Sequence, residues 1–327
     1  MITRRKIVVA IGASALVPLA SFAQQQPATV YRIGFLSAPT AAGYANRLEE
    51  LRKALRELGY IEGKNVLYEE RWANNNNERL PELAADLVRV KCDVIVANGT
   101  PATLALKRAT TIIPIVIATS GDAVRAGLVA SLARPGANVT GLTFFAPELY
   151  AKRVELIKEA VARIKIVAYL VNPSNPGVQR NATVMGKTAK QLKMTAHAIA
   201  IRNVNEFETA FSLIAKQRVD AVLVTNDSLM MSNLKSIAAL AAKQRLPSVG
   251  APEFADAGGM IGFGQDTLSL FRRAATYVDK ILKGAKPTDL PVEQPTIFEV
   301  VINMKTAKAL GLKIPSSILV RATKVIQ

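Results

Sequence analysis

Val94-Ile95-Val96-Ala97-Asn98-Gly99-Thr100-Pro101 is the stretch that decides how this chain folds. Its first four residues are apolar, which predicts a buried strand. Asn98 and Gly99 then predict a turn. Thr100 followed by Pro101 predicts the start of a helix over residues 102–109, because a threonine oxygen can cap free amides and proline has no amide to lose.

The turn between this strand and this helix is a candidate ligand site. The free N–H groups at the helix start and the helix dipole favour a carboxylate or another anion there. In parallel α/β sheets, ligands bind outside the carboxyl ends of the strands. An ordinary strand-to-helix turn that binds nothing has the same spacing, so both interpretations remain open.

Length and composition indicate a globular protein. The chain has 327 residues, of which 50% are hydrophobic and 20% charged, so it can form two domains with cores of their own. The formal charge is +17, but the basic residues are spread along predicted helices and mixed with glutamates. After residue 23 the sequence has no run of consecutive basic residues. It also lacks the pattern of aromatic residues that would stack on nucleic-acid bases. We therefore predict a solvated basic surface and no nucleic-acid partner.

The first 23 residues have the pattern of a secretory signal. A basic head at Arg4-Arg5-Lys6 precedes a mainly apolar stretch over residues 7–20, and Ser21-Phe22-Ala23 is a small-x-small cleavage site. The stretch is short and interrupted by Pro18, which argues against a spanning anchor. The paired arginines leave both the general and the twin-arginine export routes open. We predict a periplasmic protein whose signal peptide, residues 1–23, is removed.

Metal-dependent and covalent chemistry have little support in the sequence. Cys92 is the one cysteine and His197 the one histidine, and His197 lies within a predicted strand. The glycines at positions 258–264 do not have dinucleotide-binding spacing, and no phosphate-binding loop motif is present. We predict no catalytic residue, no metal and no cofactor.

Strands and helices alternate along the chain. Apolar strands are predicted at residues 31–36, 65–72, 94–97 and 114–118, each followed by an amphipathic helix, the fourth of which ends near residue 134. The alternation begins again after an extended segment at residues 138–143. It predicts an α/β chain with two parallel-sheet halves joined near residues 138–146.

Seven stretches of the chain together form a recognisable pattern. They are YRIGFLS at 31–37, LRELGYIEGKN at 55–65, LPELA at 80–84, GTPA at 99–102, GLVASLARPG at 127–136, NPSNP at 172–176 and KTAKALGL at 305–312. Through them the chain resembles bacterial ABC-transporter solute-binding proteins of the type I periplasmic-binding fold, in the subgroup that includes tryptophan-binding members. The resemblance covers essentially the whole mature chain.

The resemblance implies two Rossmann-like lobes joined by a hinge, with a solute held between them. It places residues 28–142 and about 250–286 in the first lobe, and residues 143–249 and about 287–327 in the second. It also implies a monomer that captures a small ligand, an amino acid or other carboxylate, and delivers it to an ABC transporter permease.

The resemblance further implies that loops at the strand ends line the cleft. Thr100 and the amides near it suit a carboxylate, and Asp122, Asp227 or Glu253 suits an ammonium group. Phe144 and Phe145 suit a flat apolar group. The full set of predicted ligand-binding residues is Ser37, Asn98, Gly99, Thr100, Pro101, Ser120, Asp122, Phe144, Phe145, Asn172, Asn175, Thr225, Asp227 and Glu253.

Two other functions remain open on the sequence. A sensor protein that presents its solute to a signalling receptor would use the same residues. A periplasmic enzyme on an α/β scaffold would need acid and base groups that converge in the cleft.

We predict that the exported protein begins at Gln24, because the basic head, the apolar stretch and the Ser-Phe-Ala ending together direct cleavage after Ala23. Mass spectrometry of the protein recovered outside the cytoplasmic membrane measures this directly. An intact N-terminus in the membrane fraction would contradict it.

Overall fold

The computed structural model describes residues 29–144 and 146–327, and within this part the chain forms two β-sheets flanked by helices. The predicted signal peptide and Phe145 lie outside the described residues. The strands are β1 (Tyr31–Ser37), β2 (Val66–Trp72), β3 (Val94–Asn98), β4 (Ile115–Thr119), β5 (Val139–Gly141), β6 (Ile166–Val171), β7 (Thr195–Ala200), β8 (Ala221–Val224), β9 (Ser248–Gly250), β10 (Ile261–Gly264), β11 (Glu299–Asn303) and β12 (Lys324–Ile326).

The helices fill the connections between these strands. They are α1 (Ala41–Glu57), α2 (Leu80–Arg89), α3 (Thr100–Ala109), α4 (Ala146–Ala160), α5 (Val178–Gln191), α6 (Phe207–Lys216), α7 (Ser228–Met231), α8 (Leu234–Lys243), α9 (Pro252–Asp256), α10 (Thr267–Leu282), α11 (Met304–Ala309) and α12 (Ser316–Leu319).

The first sheet has the order β2-β1-β3-β4-β5, and every pair in it is parallel. Strand β3 is buried along its whole length, as the apolar run at Val94 predicts. Helices α1 and α10 pack against each other, and α10 also packs on β3 and β4. We call this sheet with α1, α2, α3 and α10 the first lobe.

The second sheet has the order β12-β11-β10-β9-β8-β6-β7 and is parallel except where β10 meets β11. We call this sheet with its remaining helices the second lobe. The prediction of an α/β chain with two largely parallel sheets is therefore confirmed.

The return to the first lobe comes later than we predicted. We expected it near residue 250, but Ile261 of β10 pairs with Val249 and with Ile302 in the second sheet. A Cβ at Gly262 would lie 2.7 Å from the Pro252 Cα, so the missing side chain lets β10 lie directly against α9. Helix α10 returns to the first lobe, and a segment at residues 287–293 follows it.

Residues 287–293 contact the first lobe, whereas we predicted that the chain belongs to the second lobe from about residue 287. Val292 joins the apolar cluster of the first sheet, and the main chains of Leu142 and Glu293 pair in parallel. The chain then enters the second sheet with β11. It therefore crosses between the lobes three times, after β5, after β10 and before β11.

Two predicted features of the helices are wrong. Residues 123–138 form turns and bends in place of a helix, because the single turn after Asp122 ends at Gly127, which has a φ of +70°. Thr100 does not cap α3. Gly99 occupies the cap position and Thr100 is the first helical residue, so the threonine side chain makes no capping hydrogen bond.

Candidate functional site

The carboxyl ends of the strands in both lobes face each other across a cavity of about 170 Å³. Its walls come from the first lobe, from the second lobe and from the crossings between them. The predicted residues that line it are Gly99, Thr100, Pro101, Ser120, Asp122, Phe144 and Asn175.

The lobes are in close contact at the turn before α3. Gly99 has a φ of +90°, and a Cβ built on it would lie 3.1 Å from the Ser228 Oγ of the second lobe. A side chain here would therefore be strained by the backbone conformation and would crowd the opposite lobe. Glycine lets the start of α3 approach the second lobe, with Thr100 and Pro101 at the cavity wall.

Ser37 and Asn98 lie outside the cavity lining, although both were predicted to bind ligand. The Asn98 Nδ2 donates a hydrogen bond to the Ser37 Oγ at 2.8 Å, and both residues are buried. They are the last residues of two adjacent strands, and their side chains satisfy each other. The structure therefore gives them a supporting position below the site.

Asp122 lies in the cavity wall but is already paired with two arginines. The Arg180 Nη1 of the second lobe donates to its Oδ2 at 3.0 Å, and the Arg125 Nε lies 3.6 Å from the same oxygen. Its Oδ1 accepts a hydrogen bond from the Arg125 main-chain N–H at 3.1 Å. The Asp122–Arg180 pair is a charged contact that joins the lobes across the cavity.

Asp227 is used inside the second lobe and is absent from the cavity wall. It accepts hydrogen bonds from the side chains of Asn172, at 3.3 Å, and Asn175, at 2.8 Å, and caps α7 by accepting from the Leu229 N–H at 3.0 Å. Burial raises the pKa of its carboxyl group, and these hydrogen bonds lower it in part. Asp227 thus holds the loop of residues 172–177 in place.

The remaining predicted residues also lie away from the cavity. The Thr225 Oγ donates to the Leu170 carbonyl at 2.8 Å, which ties two neighbouring strands together. The Asn172 Nδ2 donates a hydrogen bond to Asp227, and the Asn172 Oδ1 accepts one from the Ser174 hydroxyl. Glu253 lies in α9 and faces Arg47 of the first lobe.

Several cavity residues gave no clear signal in the sequence. Tyr44 and Tyr150 lie inside amphipathic helices, where an aromatic residue is usually core. Arg180 lies in the first turn of α5, and Gln265 follows β10 at a crossing. Asn226 lies between the predicted Thr225 and Asp227. Only its position after β8, at a strand end, points to the site.

Two amide oxygens of these residues are buried without a hydrogen-bond partner. They are the Asn226 Oδ1 and the Gln265 Oε1, and Gln265 is only 3% exposed. A buried acceptor without a donor costs free energy, so such a site is completed by a group that donates hydrogen bonds.

The described residues contain no group of three or more His, Cys, Asp or Glu side chains that could hold a metal ion. In the same part of the chain, no helix is long and apolar enough to cross a membrane.

Two mostly parallel sheets, three crossings and a polar cavity between the lobes define the type I periplasmic-binding fold. Residues 36–326 match the family model described as "ABC transporter substrate binding protein". The chain therefore belongs to this family of solute-binding proteins, and the resemblance noted from the sequence is confirmed.

Three relatives illustrate what the chain is similar to. A tyrosine-binding protein of Clostridioides difficile is 28% identical over 80% of this chain and 75% of its own length. An ABC domain from Streptococcus pneumonia in complex with L-Trp is 26% identical over 91% of this chain and 100% of its own, with a TM-score of 0.82. A ligand-free, open substrate-binding protein with adhesive properties from Clostridium difficile is 25% identical over the same shares, with a TM-score of 0.63.

The last two comparisons bear on the arrangement of the lobes. Identity and coverage are nearly the same, yet the chain superposes far better on the L-Trp complex than on the open, ligand-free protein. Contacts such as Asp122–Arg180 and the hydrogen bond from the Asn77 Nδ2 to the Ser174 Oγ, at 2.7 Å, join the two lobes. The lobes are therefore in a closed arrangement.

Asp227→Ala should lower the free energy of unfolding by about 2–4 kcal/mol, because it removes a helix cap and leaves two asparagine amides without their acceptor. Denaturant unfolding measures the change. Asp266→Ala at the cap of α10 is the matched control. It should lower the free energy of unfolding by about 1 kcal/mol, since this aspartate accepts only main-chain N–H groups of the helix and no side-chain amide. Unchanged stability of the Asp227→Ala variant would contradict the structural role.

Proposed function

We propose that this protein is the periplasmic component of an ABC importer and that it captures an α-amino acid with an aromatic side chain in the cavity between its lobes. The observation that carries the proposal is the combination of a helix N-terminus on one side of the cavity with unpartnered acceptor oxygens on the other. A relative described as tyrosine-binding and another bound to L-Trp support the same ligand class.

The carboxylate of the ligand would bind at the start of α3. The first turn of a helix leaves N–H groups without intrahelical partners, and here these include the amides of Thr100 and Ala102. The dipole of α3 adds favourable electrostatic energy for an anion. Because Thr100 does not cap the helix, its hydroxyl can donate to the ligand.

The ammonium group would bind at the opposite wall. Its three N–H donors match the Asn226 Oδ1 and the Gln265 Oε1, which have no partner in the structure. Asp122 of the first lobe also lines the cavity and supplies a negative charge, although Arg180 and Arg125 share it. A zwitterion thus satisfies both walls, whereas a carboxylic acid without an amino group would leave the two acceptors unmet.

The aromatic part of the ligand would lie among the rings and apolar side chains of the cavity. Tyr44, Phe144 and Tyr150 line it together with Met231 and Leu270. Ring–ring contacts of this kind add to the free energy of burying the side chain.

Membership of the family and the secretory signal predicted at residues 1–23 support delivery to a membrane permease. A binding protein in this role acts as a monomer that presents closed, loaded lobes to its permease. It needs no catalytic group, and its cargo leaves unchanged.

Isothermal titration calorimetry of the mature chain tests the ligand class. We expect L-tryptophan or L-tyrosine to bind, and the matching des-amino acid, 3-indolepropionate or 3-(4-hydroxyphenyl)propionate, to bind at least tenfold more weakly. Absence of binding by both amino acids would contradict the proposal. Equal affinity of an amino acid and its des-amino partner would refute the ammonium site alone.

Thr100→Val should weaken amino-acid binding by about 1–3 kcal/mol, because a hydrogen bond to a charged group is lost inside the closed cleft. Stability should change little, since Thr100 caps nothing. The matched control is Thr103→Val in the same helix, whose hydroxyl donates to the Gly99 carbonyl at 2.9 Å and does not line the cavity. Calorimetric affinity that is equal in both variants would place the carboxylate elsewhere.

A further inference from the structure

Glu253, which the sequence suggested as an ammonium ligand, meets a different cation. It lies in α9 of the second lobe, and its Oε1 is 3.7 Å from the Nη2 of Arg47 in α1 of the first lobe. Glu253 does not line the cavity. The contact therefore joins the lobes, as the Asp122–Arg180 pair does, but outside the ligand's own space.

Arg47 depends on this contact for its counter-charge. Its side chain is only 4% exposed, and its Nε has no hydrogen-bond partner. The two carboxylate oxygens of Glu253 are likewise buried without a hydrogen-bond partner. An isolated guanidinium is costly to bury, and removing one member of such a pair leaves the other uncompensated. The carboxylate that offsets Arg47 is thus supplied by the opposite lobe.

Glu253 also acts on a second buried guanidinium, within its own lobe. Arg153 is fully buried and donates to the carbonyls of Val224, at 3.0 Å, and Phe263, at 2.9 Å. Burial lowers the pKa of Arg153 to about 10, while Tyr150 and Glu253 act to raise it. The charge of Glu253 therefore favours the charged form of Arg153 in its own lobe, while its carboxylate faces Arg47 of the other lobe.

Arg47 connects this pair to the cavity wall. Its guanidinium lies over the Tyr44 ring, 4.5 Å from the ring centroid, and Tyr44 lines the cavity. A cation held over a ring face in a desolvated place restrains both groups. When Glu253 holds Arg47, it also holds the ring that the ligand would contact.

We propose that Glu253 and Arg47 are positioning residues that couple closure of the lobes to ligand binding, with the pair formed on closure and Tyr44 fixed through Arg47. This inference rests on the proposed function for its ligand. The contact between Glu253 and Arg47 does not depend on which ligand is bound. Because the pair does not touch the ligand, it raises the affinity for every ligand by the same factor, through the fraction of closed protein.

The test compares Glu253→Gln with the parent. The variant keeps the shape of the side chain and removes the charge that offsets Arg47. We expect the affinities for L-tryptophan and for 3-indolepropionate to fall by the same factor, about tenfold, with faster dissociation of L-tryptophan. Glu253→Asp keeps the charge and should recover part of the loss. Glu82→Gln, on an exposed helix position of the first lobe, is the matched control and should behave as the parent does.

Two outcomes would overturn the proposal. Affinities of the Glu253→Gln variant within twofold of the parent would show that the pair contributes nothing to closure. Loss of the preference for the amino acid over 3-indolepropionate, with unchanged affinity for 3-indolepropionate, would make Glu253 an ammonium ligand instead.

A parent protein that binds none of these ligands would overturn the proposed function and leave the pair to be tested without cargo. Spin labels at the exposed positions Arg108 and Lys187, one in each lobe, then report the separation of the lobes in the ligand-free protein. We expect Glu253→Gln to deplete the short-distance population of the parent. Identical distance distributions in variant and parent would overturn the pairing role.

Discussion

The charge pairs that join the two lobes are the interaction on which our description of the closed structure depends. Asp122 meets Arg180, and Glu253 meets Arg47, with one member of each pair in each lobe. A buried ion is costly without its partner, so contact with the other lobe stabilises both pairs, although Arg125 of the first lobe also lies near Asp122. Both contacts are present together in the closed arrangement.

The fold allows these charged side chains to come together, because parallel strands bring their carboxyl ends to one edge of each sheet. Asn98, Thr119 and Gly141 end their strands on the side of the cavity in the first lobe. In the second lobe, Arg153 ties α4 to the ends of β8 and β10 through two carbonyls, so three elements are joined next to the crossings. Three crossings then leave rotation of one lobe against the other as the main freedom.

The sequence predicted the two sheets and two of the turns that line the cavity, because both follow from local patterns. Apolar strands followed by amphipathic helices predicted the two sheets, and Gly99-Thr100-Pro101 and Ser120-Gly121-Asp122 do lie at the cavity wall. Whether a side chain at such a turn binds the ligand or another residue of the protein was less predictable. Asp227 and Asn172 have the composition of ligand-binding residues, yet they satisfy each other, and this depends on contacts between distant strands.

Long-range contacts also explain the residues that sequence patterns did not reveal. Arg47 lies on the buried face of α1, between Tyr44 and Leu51, although an arginine in an amphipathic helix is expected to be solvated. The return of the chain at residue 250 was predicted too early, because β9 and β10 are too short to show which sheet they join. Lobe assignment depends on pairing partners, which local sequence does not encode.

Small-angle X-ray scattering of the mature chain, with and without saturating L-tryptophan or L-tyrosine, tests most directly whether the lobes close on a cargo. We predict a more extended particle without ligand. With ligand, we predict a smaller radius of gyration and a profile that matches the closed structure. Identical profiles in the two states, at a ligand concentration shown by calorimetry to saturate the site, would contradict it.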